Sequence, residues 1–497
     1  MSNFFIFFNN FIVKVAGSSG QLDEEKIIAI IRGLILVVIF IAIFFFLYRH
    51  YFWKETLLRK IFWWSTGSIC FLIIVKYALF HFYKAYIPDR FLFYALPSPK
   101  AESILWFLLP IIIFILFLHF RGKIERLSTR RFLLTLWIFL IVFSLSVAAI
   151  REGTFSVYEP FTRSFWEYTG NLPMVKNIPA FLHDYVILQP HLAVHSITHP
   201  PGYTVILFIF NHYFGAGIPA LAVLVVILGD AVIFPIYYFL RKFATEDESR
   251  RGLEIFVFLP SVVMFGATSM EVVFLFFTWL AIALIVVGWH RGATVSFIGG
   301  LVAAVALFNN FLFLLLGPFF LFLAVYFYFS FPFAEKIALV KRVAASAFGF
   351  FLFYVFLYYQ TGFSIVKNFT LSRQLSAQWI ESSWKSPQIY VIYFIMNIVA
   401  FAVYLGIANL PFFINYFKSF FSKKNLMMAA GFATVLLFLT VGIFQGEVER
   451  IWLFITPLFI LPLVRLIPYK DNRHFIAIIS LLFFQIVVFQ VLFYTYW

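Results

Sequence analysis

Four carboxylates and five of the ten histidines fall in one stretch of this sequence: Glu152, Glu159, Glu167 and Asp184, with His183, His191, His195, His199 and His212, all within 151-216. Carboxylates and imidazoles are the side chains that exchange protons near neutral pH. Taken singly, each reads as a solvated loop residue. Taken together, in the longest connection of an otherwise apolar chain, they read as a functional loop. A second polar group, Gln445-Gly446-Glu447-Val448-Glu449-Arg450, opens the apolar run IWLFITPLFILPLV. Arg450 is placed there to hold a phosphate through paired hydrogen bonds. Interfacial snorkelling is the competing reading, and Glu447 and Glu449 weigh against it because an anchor needs no carboxylates. His195 and His199 are four apart, but Pro200 and Pro201 follow and argue against both rings sharing a helical face as zinc ligands. With Cys70 the single cysteine, an intrachain disulfide framework and a Cys-based metal site are both excluded.

The elements that position these residues must lie in a membrane. Of 497 residues, 63% are apolar, 22% aromatic and 12% charged, which excludes a water-soluble chain of this length. The net charge of +15 does not indicate nucleic acid, because the basic residues sit in short clusters between apolar runs. Spans of about 20 apolar residues predict an all-α polytopic membrane protein with about fourteen transmembrane helices. They fall near 26-48, 61-83, 102-120, 132-150, 217-240, 253-267, 271-289, 293-308, 311-330, 343-360, 388-416, 427-444, 451-468 and 474-495. Alternating the connections between two sides puts 22 of the 37 Lys and Arg in 49-60, 121-131, 241-252, 290-292, 335-342, 417-425 and 469-473. By the positive-inside rule that side is cytoplasmic, so both termini and 151-216 face the non-cytoplasmic side. Residues 3-13 lack a basic n-region and do not read as a cleavable signal.

The long loop has an internal pattern. Phe181-Leu182-His183-Asp184-Tyr185-Val186-Ile187-Leu188 repeats apolar residues at helical intervals and predicts an amphipathic helix near the headgroups. His195-Ser196-Ile197-Thr198-His199-Pro200-Pro201-Gly202 then predicts an extended approach and a sharp turn. The run 202-214 is too short to span and reads as an interfacial helix. Glu271, Asn309 and Asn310 add polar groups on the same side, and Asp230 lies inside a span, where a carboxylate is a functional candidate.

These features resemble the GT-C fold glycosyltransferases: a loop with acidic residues after a span, an amphipathic helix, and His199-Pro200-Pro201-Gly202 opening an interfacial helix. The following span, ending in Tyr237-Tyr238-Phe239-Leu240-Arg241-Lys242, fits as well. The relatives include protein O-mannosyltransferases and aminoarabinose or polyprenol-dependent transferases, whose motif is usually His-Pro-Pro-Leu. FLHDYVILQPHLAVHSITHPPG with Glu447-Val448-Glu449-Arg450-Ile451-Trp452 is similar to an HPPG-containing prokaryotic subgroup. The resemblance covers about 132-497. It implies a GT-C-like core there with an outer catalytic loop 151-216, preceded by an outer segment 1-25 and an accessory transmembrane module 26-131. The chain departs from the pattern in having no Asp-Glu or Asp-X-Asp pair directly after the span.

The implied activity is transfer of a sugar from a polyprenyl-phosphate donor to a glycan, lipid or protein acceptor on the non-cytoplasmic side, at the plasma membrane in a prokaryote. Such transfer needs a base for the acceptor hydroxyl and cations for the leaving phosphate. Glu167, between Trp166 and Tyr168, is the expected base, since aromatic neighbours desolvate a carboxylate and line a sugar site. Glu159, Asp184 and Glu152 remain open. Arg450 and Arg163 are the expected phosphate partners, with Tyr168, His195, His199 and Glu447 completing the substrate site. The residues establish no cofactor; the resemblance allows a divalent metal, which some relatives use, and no ligand set for one is visible. The alternatives are a transporter or flippase of a lipid-linked saccharide, to which Asp230 would matter, and a non-catalytic assembly partner. Against the former, the halves show no internal repeat and the polar residues gather on one face.

Overall fold

The computed structural model describes residues 24-82, 91-379, 386-413, 426-466 and 472-495. The expected outer segment 1-25 therefore lies outside the described residues except for Glu24 and Glu25, and the basic segment 417-425 lies outside them entirely.

Near-continuous apolar runs make helices that the sequence cannot make amphipathic, and such helices are stable only where water is absent or excluded. Ten helical segments of the described residues are long and apolar enough to cross a membrane. They are α1 (Glu24–Phe52), α2 (Thr56–Phe82), α3 (Ile104–Ile124), α4 (Thr129–Glu152), Ile218–Leu240, α11 (Glu271–Arg291), Phe311–Ser330, α14 (Phe333–Thr361), α16 (Pro387–Tyr404) and α19 (Asn472–Leu492). Ala293–Asn309 (α12) and Ala430–Val441, within α17 (Leu426–Val441), are shorter apolar helices. The protein is thus an all-α, multi-pass membrane protein.

Several expected spans depart from a continuous helix, and proline supplies the reason in three of them. The run 253-267 divides between α9 (Glu246–Phe256) and α10 (Pro260–Gly266), with Pro260 opening the second piece. The run 451-468 is a 3-10 stretch, Trp452–Phe459 with Pro457 inside, followed by α18 (Ile460–Leu466). Pro235 acts in the same way within Ile218–Leu240. Its ring opposes the carbonyl of Ala231, and the segment breaks there into α7 (Ile218–Asp230) and α8 (Ile233–Leu240). In the expected span 388-416, of which 414-416 lie outside the described residues, α16 stops at Tyr404, Gly406 takes φ +102°, and a 3-10 turn, Ile407–Asn409, follows.

The C-terminal α19 is the centre of the bundle: 94% of its most apolar window is buried. Phe483 stacks on Phe114 of α3 at 4.1 Å, and Phe484 stacks on Phe44 of α1 at 4.5 Å. The helices of the expected N-terminal module thus pack directly on the chain's last helix. Lys76, fully buried in α2, donates to the carbonyls of Phe91 (3.0 Å) and Phe93 (2.6 Å). The strand Leu96–Pro97 pairs antiparallel with Phe493–Tyr494, and Arg151 ties this ribbon to α4 through the carbonyls of Ser98 and Phe493, both at 2.8 Å.

Polar contacts gather at two ends of the bundle among the described residues. At one end Arg121 joins Glu254 (2.9 Å) and Asn472 (2.8 Å), Arg250 reaches the Leu127 carbonyl (2.8 Å), and His474 meets Glu55 (2.7 Å). At the other, Ala101 N–H donates to Ala29 and Glu102 N–H to Ile150.

Close helix approach is concentrated in α11, α12 and α14, where van der Waals fit between small residues replaces the hydrophobic effect. A side chain at Gly300 would collide with the Ser346 carbonyl, and one at Gly349 with the Phe297 carbonyl. Gly67 faces open space. Gly300→Leu is expected to lower stability in detergent by about 1–3 kcal/mol, the usual range for overpacking, whereas Gly67→Leu leaves the thermal midpoint unchanged. Equal melting of both variants would contradict this packing.

Candidate functional site

The chain between α4 and α7 is held by its own polar stitches. Val194 N–H donates to Phe165 and His195 N–H to Trp166, both at 3.0 Å. That short pairing sets Glu167 against His195, with Oε1 3.3 Å from Nδ1. Asn171, fully buried, donates to Ser196 Oγ (2.5 Å) and accepts from Ala193 N–H (2.8 Å). The expected amphipathic helix is present as α5 (Ile178–Leu188). Its Tyr185 hydroxyl donates to the His199 carbonyl at 2.9 Å, which fixes the turn before Pro200. Gln189 donates to Ile197 (2.8 Å) and to Ser372 Oγ (2.7 Å) of α15 (Ile365–Trp379). After the turn, α6 (Gly202–Phe214) forms with the expected thirteen residues.

Around this frame six of the expected site residues meet: Glu167, Tyr168, His195, His199, Glu447 and Arg450. Arg450 is 5% exposed; its Nη2 lies 2.5 Å from Glu447 Oε2 and its Nε 3.4 Å from Glu271 Oε1. Burial disfavours a charged guanidinium, but Glu271, Glu447 and Glu167 outweigh it and raise the pKa of Arg450. The Tyr168 ring is 6.0 Å from His195, 6.1 Å from His199 and 4.8 Å from Tyr203. Burial, followed by Tyr203, Glu271 and Glu167, holds the Tyr168 hydroxyl well above its ordinary pKa, so it remains a hydrogen-bond donor.

The two histidines are set to different tasks. Burial pulls His195 down, but the charge and hydrogen bond of Glu167 prevail and its pKa is raised. Burial pulls His199 down to about 4, only partly offset by its bond to the His195 carbonyl. Its Nδ1 lies 2.7 Å from that carbonyl oxygen. A carbonyl only accepts, so the proton is on Nδ1 and the neutral ring keeps an Nε2 lone pair. The cluster therefore offers a carboxylate–imidazole pair, a neutral imidazole acceptor, a phenol donor and one fixed cation.

The remaining expected residues lie apart from this centre. Glu159 binds Arg163 (Nε 3.0 Å), whose guanidinium lies against the Tyr494 ring and bonds its hydroxyl. Burial raises the pKa of Glu159 against the pull of Arg163, with Glu152 and Glu167 adding to the rise. Glu152 pairs with Lys100 at 2.5 Å. Asp184 is exposed on α5 and pairs only with its neighbour His183 among the described residues, at 2.8 Å. Trp166 also points outward, 49% exposed, so Glu167 is desolvated by the 193-203 turn and Tyr168 rather than by Trp166. Glu271 enters the cluster without having been assigned a role from sequence; its one signal was a carboxylate opening a helix N-terminus. Glu449 is structural. It accepts the Tyr94 N–H at 2.6 Å, and burial pushes its carboxyl up to about 7. Among the described residues no three His, Cys, Asp or Glu side chains gather closely enough to hold a metal ion.

No protein-family model matches this chain, and the comparisons with curated proteins and with solved structures found no match. The class that the fold defines is that of an all-α, multi-pass membrane protein carrying a recessed polar cluster at one end of its bundle.

The His199 shift has a signed consequence. With the unfolded ring near 6.5 and the folded ring near 4, the native state binds fewer protons between those values. Its stabilising contribution is present above pH 6.5 and is lost as pH falls toward 4, by up to about 3 kcal/mol. Histidine-labelled protein is expected to show the His199 ring neutral at pH 5 by nitrogen chemical shift. A ring that titrates near 6.5 would contradict the buried site.

Proposed function

We propose that this protein is an integral membrane glycosyltransferase that moves a sugar from a polyprenyl-phosphate donor to an acceptor at the end of the bundle carrying 151-216, the non-cytoplasmic face by the distribution of basic residues. The resemblance of the HPPG turn and its flanking loop to GT-C transferases motivates the reading. The observation that carries it is the convergence of Glu167 and His195, from the 151-216 loop, with Arg450, remote in sequence, on one buried polar cluster.

Glu167, backed by His195, takes the proton of the acceptor hydroxyl. Tyr168 and Tyr203, buried against each other at 4.8 Å, brace the two histidines. Arg450 stabilises the leaving phosphate. Three carboxylates surround that one guanidinium, so a phosphate binds only by replacing a carboxylate partner. Glu447 is the partner that gives way. It stands at the half-buried rim, and it is one of two non-glycine residues with positive φ among the described residues, at +59°. Such backbone strain is sustained where the surroundings require it, commonly at functional sites. Glu271, at the start of α11, stays and keeps Arg450 in place.

Asp230, on which the transporter alternative turns, sits outside this cluster. It is fully buried, and a Cβ at Gly266 would lie 3.6 Å from its Oδ1 and 4.0 Å from Ser144 Oγ.

The test is glycosyl transfer by purified protein in liposomes, with a panel of polyprenyl-phosphate sugars and cell-envelope extract as acceptor. Glu167→Gln is expected to slow product formation by about 100-fold or more with folding intact, while Asp184→Asn changes it less than about twofold. Full activity in Glu167→Gln would remove the base assignment. Movement of labelled lipid across the bilayer without product from any donor would favour the transporter, and loss of complex formation alone would favour the assembly partner.

A further inference from the structure

A groove of about 790 Å³ runs along the outside of the N-terminal helices, between α1 and α3 and over α19. Its walls are aliphatic: Ile39, Ile43 and Leu47 on α1, Leu108 and Ile115 on α3, each between 41% and 57% exposed. Its floor includes Phe483 and Ser480 of α19. The groove narrows where the rings of Phe40 and Phe107 meet edge to face at 6.0 Å. At its other end it is bordered by His50, Lys54 and Arg473, all exposed. Glu55, the acidic residue next to Lys54, is paired with His474 at 2.7 Å.

Its length limits the occupant. The lining runs from Leu36 to Phe52 on α1, about 24 Å, and from Phe107 to Leu118 on α3, about 16 Å, at the helical rise of about 1.5 Å per residue, so both walls are present over about 16 Å. Half of a hydrocarbon core of about 30 Å is about 15 Å. The groove therefore matches the acyl region of one leaflet and is too short for an extended polyprenyl chain. Basic side chains at the headgroup level of such a groove select an anionic head. We infer that this groove is a binding site for an anionic diacyl phospholipid, with its chains between α1 and α3 and its phosphate held by His50, Lys54 and Arg473. The site lies at the opposite end of the bundle from the Glu167–Arg450 cluster, so it is independent of the transferase reading and of the donor lipid.

Full-length protein in nanodiscs of mixed phosphatidylglycerol and phosphatidylcholine tests this by native mass spectrometry of retained lipid. Wild type is expected to retain phosphatidylglycerol about tenfold over its share of the disc. The double variant Lys54→Glu with Arg473→Glu is expected to bring that ratio to parity. Leu108→Trp, which fills the groove from an exposed wall position, is expected to reduce retained lipid of both kinds while leaving the thermal midpoint in place. No enrichment in wild type, unchanged enrichment in the charge-reversed variant, or displacement of the retained phospholipid by polyprenyl phosphate would each overturn the assignment.

Discussion

A buried guanidinium must be paired, because taking its charge out of water without a partner costs several kcal/mol. Arg450 meets that requirement with Glu271 and Glu447, and the candidate site depends on the arrangement. The pairing fixes the start of α11 against the elbow that precedes the 3-10 stretch. Tyr168, Tyr203, His195 and His199 then pack around the same charges, within their electrostatic reach. The loop supplies its half of the cluster only because Asn171, Tyr185 and Gln189 hold it closed from behind.

A second buried arginine at the other end of the bundle shows what a purely structural version looks like. Arg121 is 2% exposed, joins Glu254 and Glu125, and has the Phe475 ring 4.4 Å away. Its partners come from helices, and it clamps α3, α9 and the start of α19 together. Arg450 differs in two respects that matter chemically: one partner, Glu447, sits on a strained backbone at a solvent-reachable rim, and a carboxylate–imidazole pair lies beside it.

Much of this was legible in the sequence because hydropathy and helical period are local properties. Apolar runs predicted the membrane class and most helices, the prolines located the turn into α6 although its approach is a short helix, Val194–Ile197, and not extended, and the clustering of polar residues singled out Glu167, His195 and Arg450. What was not legible required partners remote in the chain. Glu271 is indistinguishable in sequence from any acidic helix start until Arg450 is beside it. Asp184 has the same type as a catalytic carboxylate, yet it faces outward on α5. Trp166 adjoins Glu167 in sequence but turns away, because 164-166 form a tight turn in which the N–H groups of Trp166 and Glu167 both donate to the Arg163 carbonyl. The breaks at 257-259 and after 404 were hidden because apolar content continues unchanged through them; Pro260 and Gly406 were the only signals.

The most direct test of this account is a double-mutant cycle on Arg450→Met and Glu271→Leu, read as unfolding free energy in detergent. If Arg450 is the shared partner of the cluster, the double variant is less destabilised than the sum of the singles, with a coupling of about 1–3 kcal/mol. Additivity of the two substitutions would contradict the claim that this ion pair organises the site.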